Sequence, residues 1–270
     1  MTFNEDWERE ALNWAAWART PGHDSYWRWS GPPFFELVPP PRRATLDLGC
    51  GEGRVARDLA ARRHRVTGID ASPTLLELAR EAHPEGRYLL ADAAALPFDD
   101  ASFDLVVAFN SLMDVQDMPG AVREAARVLE PDGVAVFVTP NRLTFARPDE
   151  IIDPYHYVEY GPQELRELCL TAFVAVELRG LFGSPRYLSL VAAEHARLDR
   201  LLARDPLRLR RLVPRRVRQR LYDRLLRRAR SERDPRAAAI APEDFELRAV
   251  GLDEALDLVA VCRRPSHPSA

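Results

Sequence analysis

The chain predicts an α/β fold of the doubly wound kind: a seven-stranded sheet, parallel except for an antiparallel last strand, with N-terminal helices and a helical insertion before that last strand. Two observations carry the prediction. Short apolar runs alternate with stretches of helical period, as parallel strands joined by crossover helices require. The first strong strand also runs into three glycines at alternate positions, Gly49, Gly51 and Gly53, just before a helical stretch begins.

Taken in order, strands are expected at 44–48, 65–69, 88–91, 105–109, 134–139, 174–181 and 256–262. Helices fall between them at 55–62, 73–82, 119–129 and 163–172, and Ser72 ahead of Pro73 is a good N-cap for the second. About seventy residues separate the last two strands, far more than a hairpin needs, and this marks an insertion. The boundaries that follow are 1–43 for an aromatic-rich helical lid, 44–182 for the core, 183–250 for an arginine-rich helical insertion, and 251–270 for the last core strand and tail.

With 46% apolar and 29% charged residues, a chain of 270 residues can build one large domain with appended helices. No apolar run approaches the length of a membrane span, and the acidic start Met1 to Asp6 lacks a signal-peptide core, so a cytoplasmic protein is expected. Cys50, Cys169 and Cys262 are far apart and form no C-x-x-C pair, which indicates neither a zinc site nor a disulfide framework. No metal is expected. All 38 basic residues are arginine, as a GC-rich genome would produce, so the choice of Arg over Lys at any one position says little.

The glycine turn sits where a helix N-terminus would bring backbone amides against a ligand. Asp70, ending the next strand 23 positions after Asp47, suits a ribose diol, because a carboxylate accepts from both hydroxyls at once. The dinucleotide fingerprint places a glycine three residues after its second one, and here that position is Arg54. This argues against an NAD-linked oxidoreductase.

Asp47-x-Gly49-x-Gly51-x-Gly53 instead resembles motif I of the class I S-adenosylmethionine (SAM)-dependent methyltransferases. Ala91-Asp92-Ala93-Ala94-Ala95-Leu96-Pro97-Phe98, the run from Phe103 to Ser111, and the run from Ala125 to Gly133 resemble later segments of that family, in family order. The likeness covers about a third of the chain. It implies a Rossmann-like fold, SAM as cofactor and methyl transfer as the activity. It also implies roles: Asp47, Gly49, Gly51 and Gly53 at the methionine end, Asp70 and Ala71 at the ribose, Asp92 and Ala93 at the adenine, and Asn110 beneath the sulfonium. A non-catalytic SAM-binding protein would carry the same donor motifs.

On the acceptor side, Thr139-Pro140-Asn141, the run from Asp153 to Tyr160 and the helix starting at Pro162 resemble bacterial glycan-pathway methyltransferases of the methyltransferase-11 and -25 type, and also quinone O-methyltransferases. This implies O-methylation of a hydroxyl on a saccharide, glycolipid or other small molecule, with quinones and polyketide-type products as alternatives. His156 is the expected general base, because an imidazole of near-neutral pKa can accept the proton that a hydroxyl sheds on attack. Tyr155, Tyr157 and Glu159 are fallback partners, and Glu159 equally suits a charge that orients the helix or pairs with an arginine.

Both flanks are compositionally distinct. All five tryptophans lie in the first 29 residues, with Trp7, Trp14 and Trp17 on or near one helical face. That face either packs on the core or forms a lid over the SAM cleft hinged near His23, Asp24, Tyr26 and Trp27, in which case Tyr26 is the residue expected to touch donor or acceptor. From Arg197 to Arg236 sixteen arginines face five acids, a net of +11, so with a total of −3 the rest of the chain carries −14. After Pro214, Val217, Leu221 and Leu225 share one stripe, with Tyr222 and Leu226 beside it. Such a basic amphipathic helix either packs on the acidic remainder or contacts an anionic substrate or the inner face of an anionic membrane. Nucleic acid is not expected. No RNA-recognition motif is present, and Asn110-Ser111-Leu112-Met113 stands where enzymes that methylate base nitrogens carry Asn/Asp-Pro-Pro-Tyr.

Overall fold

The computed structural model describes residues 8, 11, 12, 15, 23–42, 44–145, 156–203, 209–214, 217 and 235–265. Its strands are β1 (Thr45–Leu48), β2 (Val66–Asp70), β3 (Arg87–Leu90), β4 (Phe103–Phe109), β5 (Leu129–Pro140), β6 (Phe173–Gly183), β7 (Phe245–Arg248) and β8 (Asp257–Pro265). They form one sheet in the order β3-β2-β1-β4-β5-β8-β6-β7. The first five are parallel. β8 slots antiparallel between β5 and β6, and β7 lies antiparallel on the outer edge of β6.

The sheet therefore has eight strands rather than seven. The extra one, β7, lies in the stretch read as purely helical insertion. Its four residues alternate, with Phe245 buried, Leu247 half-buried, and Glu246 and Arg248 exposed. A run this short gives little periodic signal, and its two charged side chains are the usual protection of an edge strand.

The principal helices are α1 (His23–Phe35), α2 (Arg54–Ala61), α3 (Pro73–Ala82), α4 (Met118–Val128), α5 (Pro162–Leu170) and α6 (Pro185–Leu202). Ser72 caps α3 as expected, its Oγ accepting from the Leu75 amide at 3.1 Å. Asp117 does the same for α4 through the Gly120 amide. The period of two along β5 sorts its side chains between two layers. Ala135 and Phe137 face α4 and α5, while Val134, Val136 and Val138 face Phe34 of α1 and Leu59 of α2.

Packing assigns a role to two of the tryptophans. Trp27 is no hinge residue: it lies within α1, its Nε1 donates to Asp58 at 2.8 Å, and its ring meets Phe109 edge-on. Trp29 packs on Tyr187 and Phe245. Trp7, Trp14 and Trp17 lie outside the described residues, but Ala11 and Ala15 are buried against Leu75 of α3. Cys169 and Cys262, distant in sequence, are both buried free thiols, and the neighbouring Cys169 together with burial raises the Cys262 pKa. Of the apolar stripe after Pro214 only Val217 is described, and it is exposed; Leu221, Tyr222, Leu225 and Leu226 lie outside. No helix among the described residues is long and apolar enough to cross a membrane.

Candidate functional site

The carboxyl ends of β1, β2 and β4 meet at the glycine turn. Gly49, Gly51 and Gly53 have φ of +70°, +54° and +78°, a region that side chains with a Cβ rarely enter. A Cβ on Gly49 would also lie 2.5 Å from that of Ser111, whose hydroxyl donates to the Leu48 carbonyl at 2.6 Å and ties β1 to the end of β4. Much of the expected amide cradle is spent inside the fold. The Cys50 amide donates to Ile69, Gly51 to Asp70 and Gly53 to Cys50. The glycines therefore supply close approach more than donors. Buried Glu52 precedes α2 and is held by Arg54 and Arg57.

Two further carboxylates face the turn without a cation among the described ion pairs. Asp47 is 1% exposed, and its Oδ2 has no hydrogen-bond partner. Burial, reinforced by the charge of Asp70, pushes its pKa up to about 7. Asp70 accepts from the Gly51 amide at 2.8 Å and the Ser72 amide at 2.9 Å, one on each oxygen. Burial raises it to about 6 even so, with those amides pulling the other way. Glu8 adds to the negative field. Its carboxylate accepts from the Ser72 and Thr74 hydroxyls and from the Thr74 amide at 3.2 Å, fastening the N-terminal segment to the start of α3. Buried carboxylates at this turn fit a ligand bearing an ammonium and a sulfonium, as SAM does.

Along the cleft, Asp92 is exposed, with Oδ1 accepting from the Ala94 amide at 2.9 Å, and Ala71 and Ala93 are half-buried beside it. The loop that carries Asp92 is pinned to α4 by Arg127, which donates to the carbonyls of Leu96 (3.1 Å) and Phe98 (2.8 Å) and pairs with Glu124. Asn110 follows β4 directly with φ of +50°, an infrequent conformation for a residue other than glycine. Its amide donates to Val138, and its buried Oδ1 has no partner.

The acceptor-side segment closes over the same edge of the sheet. The Tyr157 amide donates to the Met113 carbonyl at 2.8 Å, just beyond Asn110, and Tyr160 forms a parallel bridge with Asn141 at the end of β5. On either side of the first anchor His156 and Glu159 pair, Nδ1 to Oε1 at 2.7 Å, with both side chains buried. The His156 ring lies 5.2 Å from that of Phe145, centroid to centroid. Glu159 Oε2 and the hydroxyl of Thr139 are buried and have no partner. Because Phe109 pairs with Val138, Asn110 and Thr139 follow side by side at the two strand ends. Tyr155 lies outside the described residues, as does the side chain of Tyr26 on α1.

The contacts of three residues carry no local signal, although Thr139 and Asn141 belong to a segment that the resemblance singles out. Glu8 caps α3 over a long range. Thr139 keeps a buried hydroxyl without a partner. Asn141, fully buried, donates through Nδ2 to the carbonyls of Leu252 (3.0 Å) and Ala255 (2.9 Å), partners more than a hundred residues away.

A model of the methyltransferase domain family matches residues 46–137. A protein of Mycobacterium tuberculosis described as a probable SAM-dependent methyltransferase is 33% identical over 234 residues, covering 83% of this chain and 77% of the relative. The malonyl-[acyl-carrier protein] O-methyltransferase of Serratia marcescens is 36% identical over 99 residues, or 37% of this chain and 39% of its own. Among solved structures, a SAM-dependent methyltransferase from Thermotoga maritima superposes with a TM-score of 0.65 at 16% identity, covering 96% of this chain and 98% of that one, a likeness of fold. A relative matched over most of both chains, around a turn whose carboxylates suit a cationic donor, places this chain among the class I SAM-dependent methyltransferases, as an enzyme that takes its methyl group from SAM.

Proposed function

We propose that the enzyme O-methylates a hydroxyl of a saccharide or glycolipid-like acceptor, with His156 as general base. The observation that carries this reading is the buried His156–Glu159 pair at the carboxyl edge of β4 and β5, where ligands of open α/β sheets bind. When bound, SAM supplies a methyl on a positive sulfur, so that a carbon–oxygen bond forms as the carbon–sulfur bond breaks and the electron pair stays on the now neutral sulfur. The chain's own task is to hold both partners in line, exclude water and take one proton.

In this reading Asp47 and the turn from Gly49 to Gly53 border the methionine end. Asp70 and Ala71 border the ribose, for each Asp70 oxygen keeps a second lone pair after accepting its amide. Asp92 and Ala93 flank the adenine, and Asn110 lies beneath the sulfonium. The choice of a hydroxyl-rich acceptor is supported by the three buried polar atoms left unpartnered along this edge, Asn110 Oδ1, Thr139 Oγ1 and Glu159 Oε2. Each costs about 1–3 kcal/mol while unsatisfied, and hydroxyl donors would relieve all three. A flat quinone ring has fewer donors to offer.

The test is transfer of labelled methyl from SAM to a panel of methyl hexopyranosides, a demethylated quinone and malonyl-acyl carrier protein. Transfer to sugar hydroxyls is expected, reduced about 10²–10⁴-fold in His156→Ala. Transfer confined to the quinone or the carrier protein would replace the saccharide reading, and undiminished turnover in His156→Ala would remove that residue from the reaction.

A further inference from the structure

We propose that Glu159 is a positioning residue: it fixes the His156 imidazole as the tautomer protonated at Nδ1, so that the proton of the acceptor hydroxyl is received at Nε2. This rests on the reading of His156 as the base. The 2.7 Å contact joins Nδ1 to Oε1, and a carboxylate oxygen accepts, so the ring supplies the shared hydrogen. In the neutral imidazole the lone pair then resides on Nε2. Once the acceptor's proton has moved there, the imidazolium faces an anion already in place, which favours the transfer.

The surroundings hold this geometry from several sides. The segment is anchored through the Tyr157 amide on Met113 before Glu159 and through the Tyr160–Asn141 bridge after it. The Phe145 ring lies against the imidazole. At the start of α5, Arg142 is already engaged by Glu164, at 2.9 Å. Glu159 itself is 4% exposed, and its second oxygen is buried with no partner. A pair kept only for stability would satisfy both oxygens, since the orphan lowers the fold's stability. An edge left incomplete in this way is expected where an acceptor finishes it.

The deciding experiment needs no acceptor. In the full chain labelled with ¹⁵N-histidine and saturated with S-adenosylhomocysteine, long-range proton–nitrogen NMR reports which ring nitrogen of His156 carries hydrogen, with His156→Asn assigning the signal. The neutral ring is expected to be protonated at Nδ1 and bare at Nε2. In Glu159→Gln the His156 pKa is expected to fall by about one unit or more, while the rise in melting temperature caused by S-adenosylhomocysteine persists. A neutral ring protonated at Nε2, a ring doubly protonated up to about pH 9, or a pKa unmoved in Glu159→Gln would overturn the proposal. Should Glu159→Gln not fold, the wild-type tautomer still decides. Failure of the saccharide reading is separate: it appears as absent transfer to hexopyranosides with the His156 spectrum as described.

Discussion

Around Asp70 the polar groups, apart from Ser72 and Thr74 on the distant Glu8, find partners close in sequence or on a neighbouring parallel strand. Gly51 and Ser72 donate to Asp70, Ala94 donates to Asp92, and Ser111 reaches across to Leu48. At the acceptor edge His156 and Glu159 pair locally, but the frame that holds them is remote: Asn141 holds Leu252 and Ala255, residues that arrive only when β8 slots between β5 and β6. The donor half is thus specified by strand ends and turns, one crossover at a time. The acceptor half is assembled by closure of the antiparallel end of the sheet. A family can keep the first while varying the second, and function inferred from the first half alone stops at the donor.

This contrast can be broken or sharpened by substitution. The largest effect is expected from Gly49→Ala, which combines a left-handed backbone with a clash on Ser111. The backbone alone costs about 1–2 kcal/mol, and calorimetry should find no S-adenosylhomocysteine binding in whatever protein folds. Asn141→Ala comes next. It removes the Nδ2 bonds to the carbonyls of Leu252 and Ala255, which still accept from the Ala255 amide and the Thr144 hydroxyl, and should lower stability by about 1–2 kcal/mol in urea unfolding, with donor binding retained. Loss of donor binding equal to that in Gly49→Ala would show that the halves are not separable.

A smaller effect is the pH dependence of donor affinity. Asp47 and Asp70 titrate near 7 and 6 in the ligand-free fold, and a cationic donor requires both ionised. SAM affinity should therefore fall about tenfold or more as pH is lowered from about 8 to about 6. Stability of the ligand-free protein moves in the opposite direction. Both carboxyls bind protons more tightly folded than unfolded, so with respect to them the fold loses stability as pH rises from about 4 through about 7. By the same argument Asp47→Asn should raise the ligand-free melting temperature at about pH 8 by about 2–4 °C or more while weakening SAM. A flat affinity profile over that range would mean that the carboxylates do not sense the donor's charge.

The parts of the molecule legible in the sequence follow the same division. The strand carrying Asp47, the glycine turn, Asp70 and the Ser72 cap are local devices, and each stands where its pattern placed it. His156 was recognisable as a candidate base from its segment, but its pairing with Glu159 depends on anchors at Met113 and Asn141 that no spacing announces. The edge strand β7 was missed because four residues hold only two apolar positions. Trp27 suited a hinge by its position in the chain, and instead packs half-buried against Phe109 once α1 meets the sheet.

The most direct test of the division between donor and acceptor sides is calorimetric titration of S-adenosylhomocysteine into Asp70→Ala and His156→Ala beside the wild type. Binding should weaken by about tenfold to a hundredfold in Asp70→Ala, which loses charged hydrogen bonds, and stay within about twofold of wild type in His156→Ala. Undiminished binding in Asp70→Ala, or an equal loss in both variants, would contradict the account.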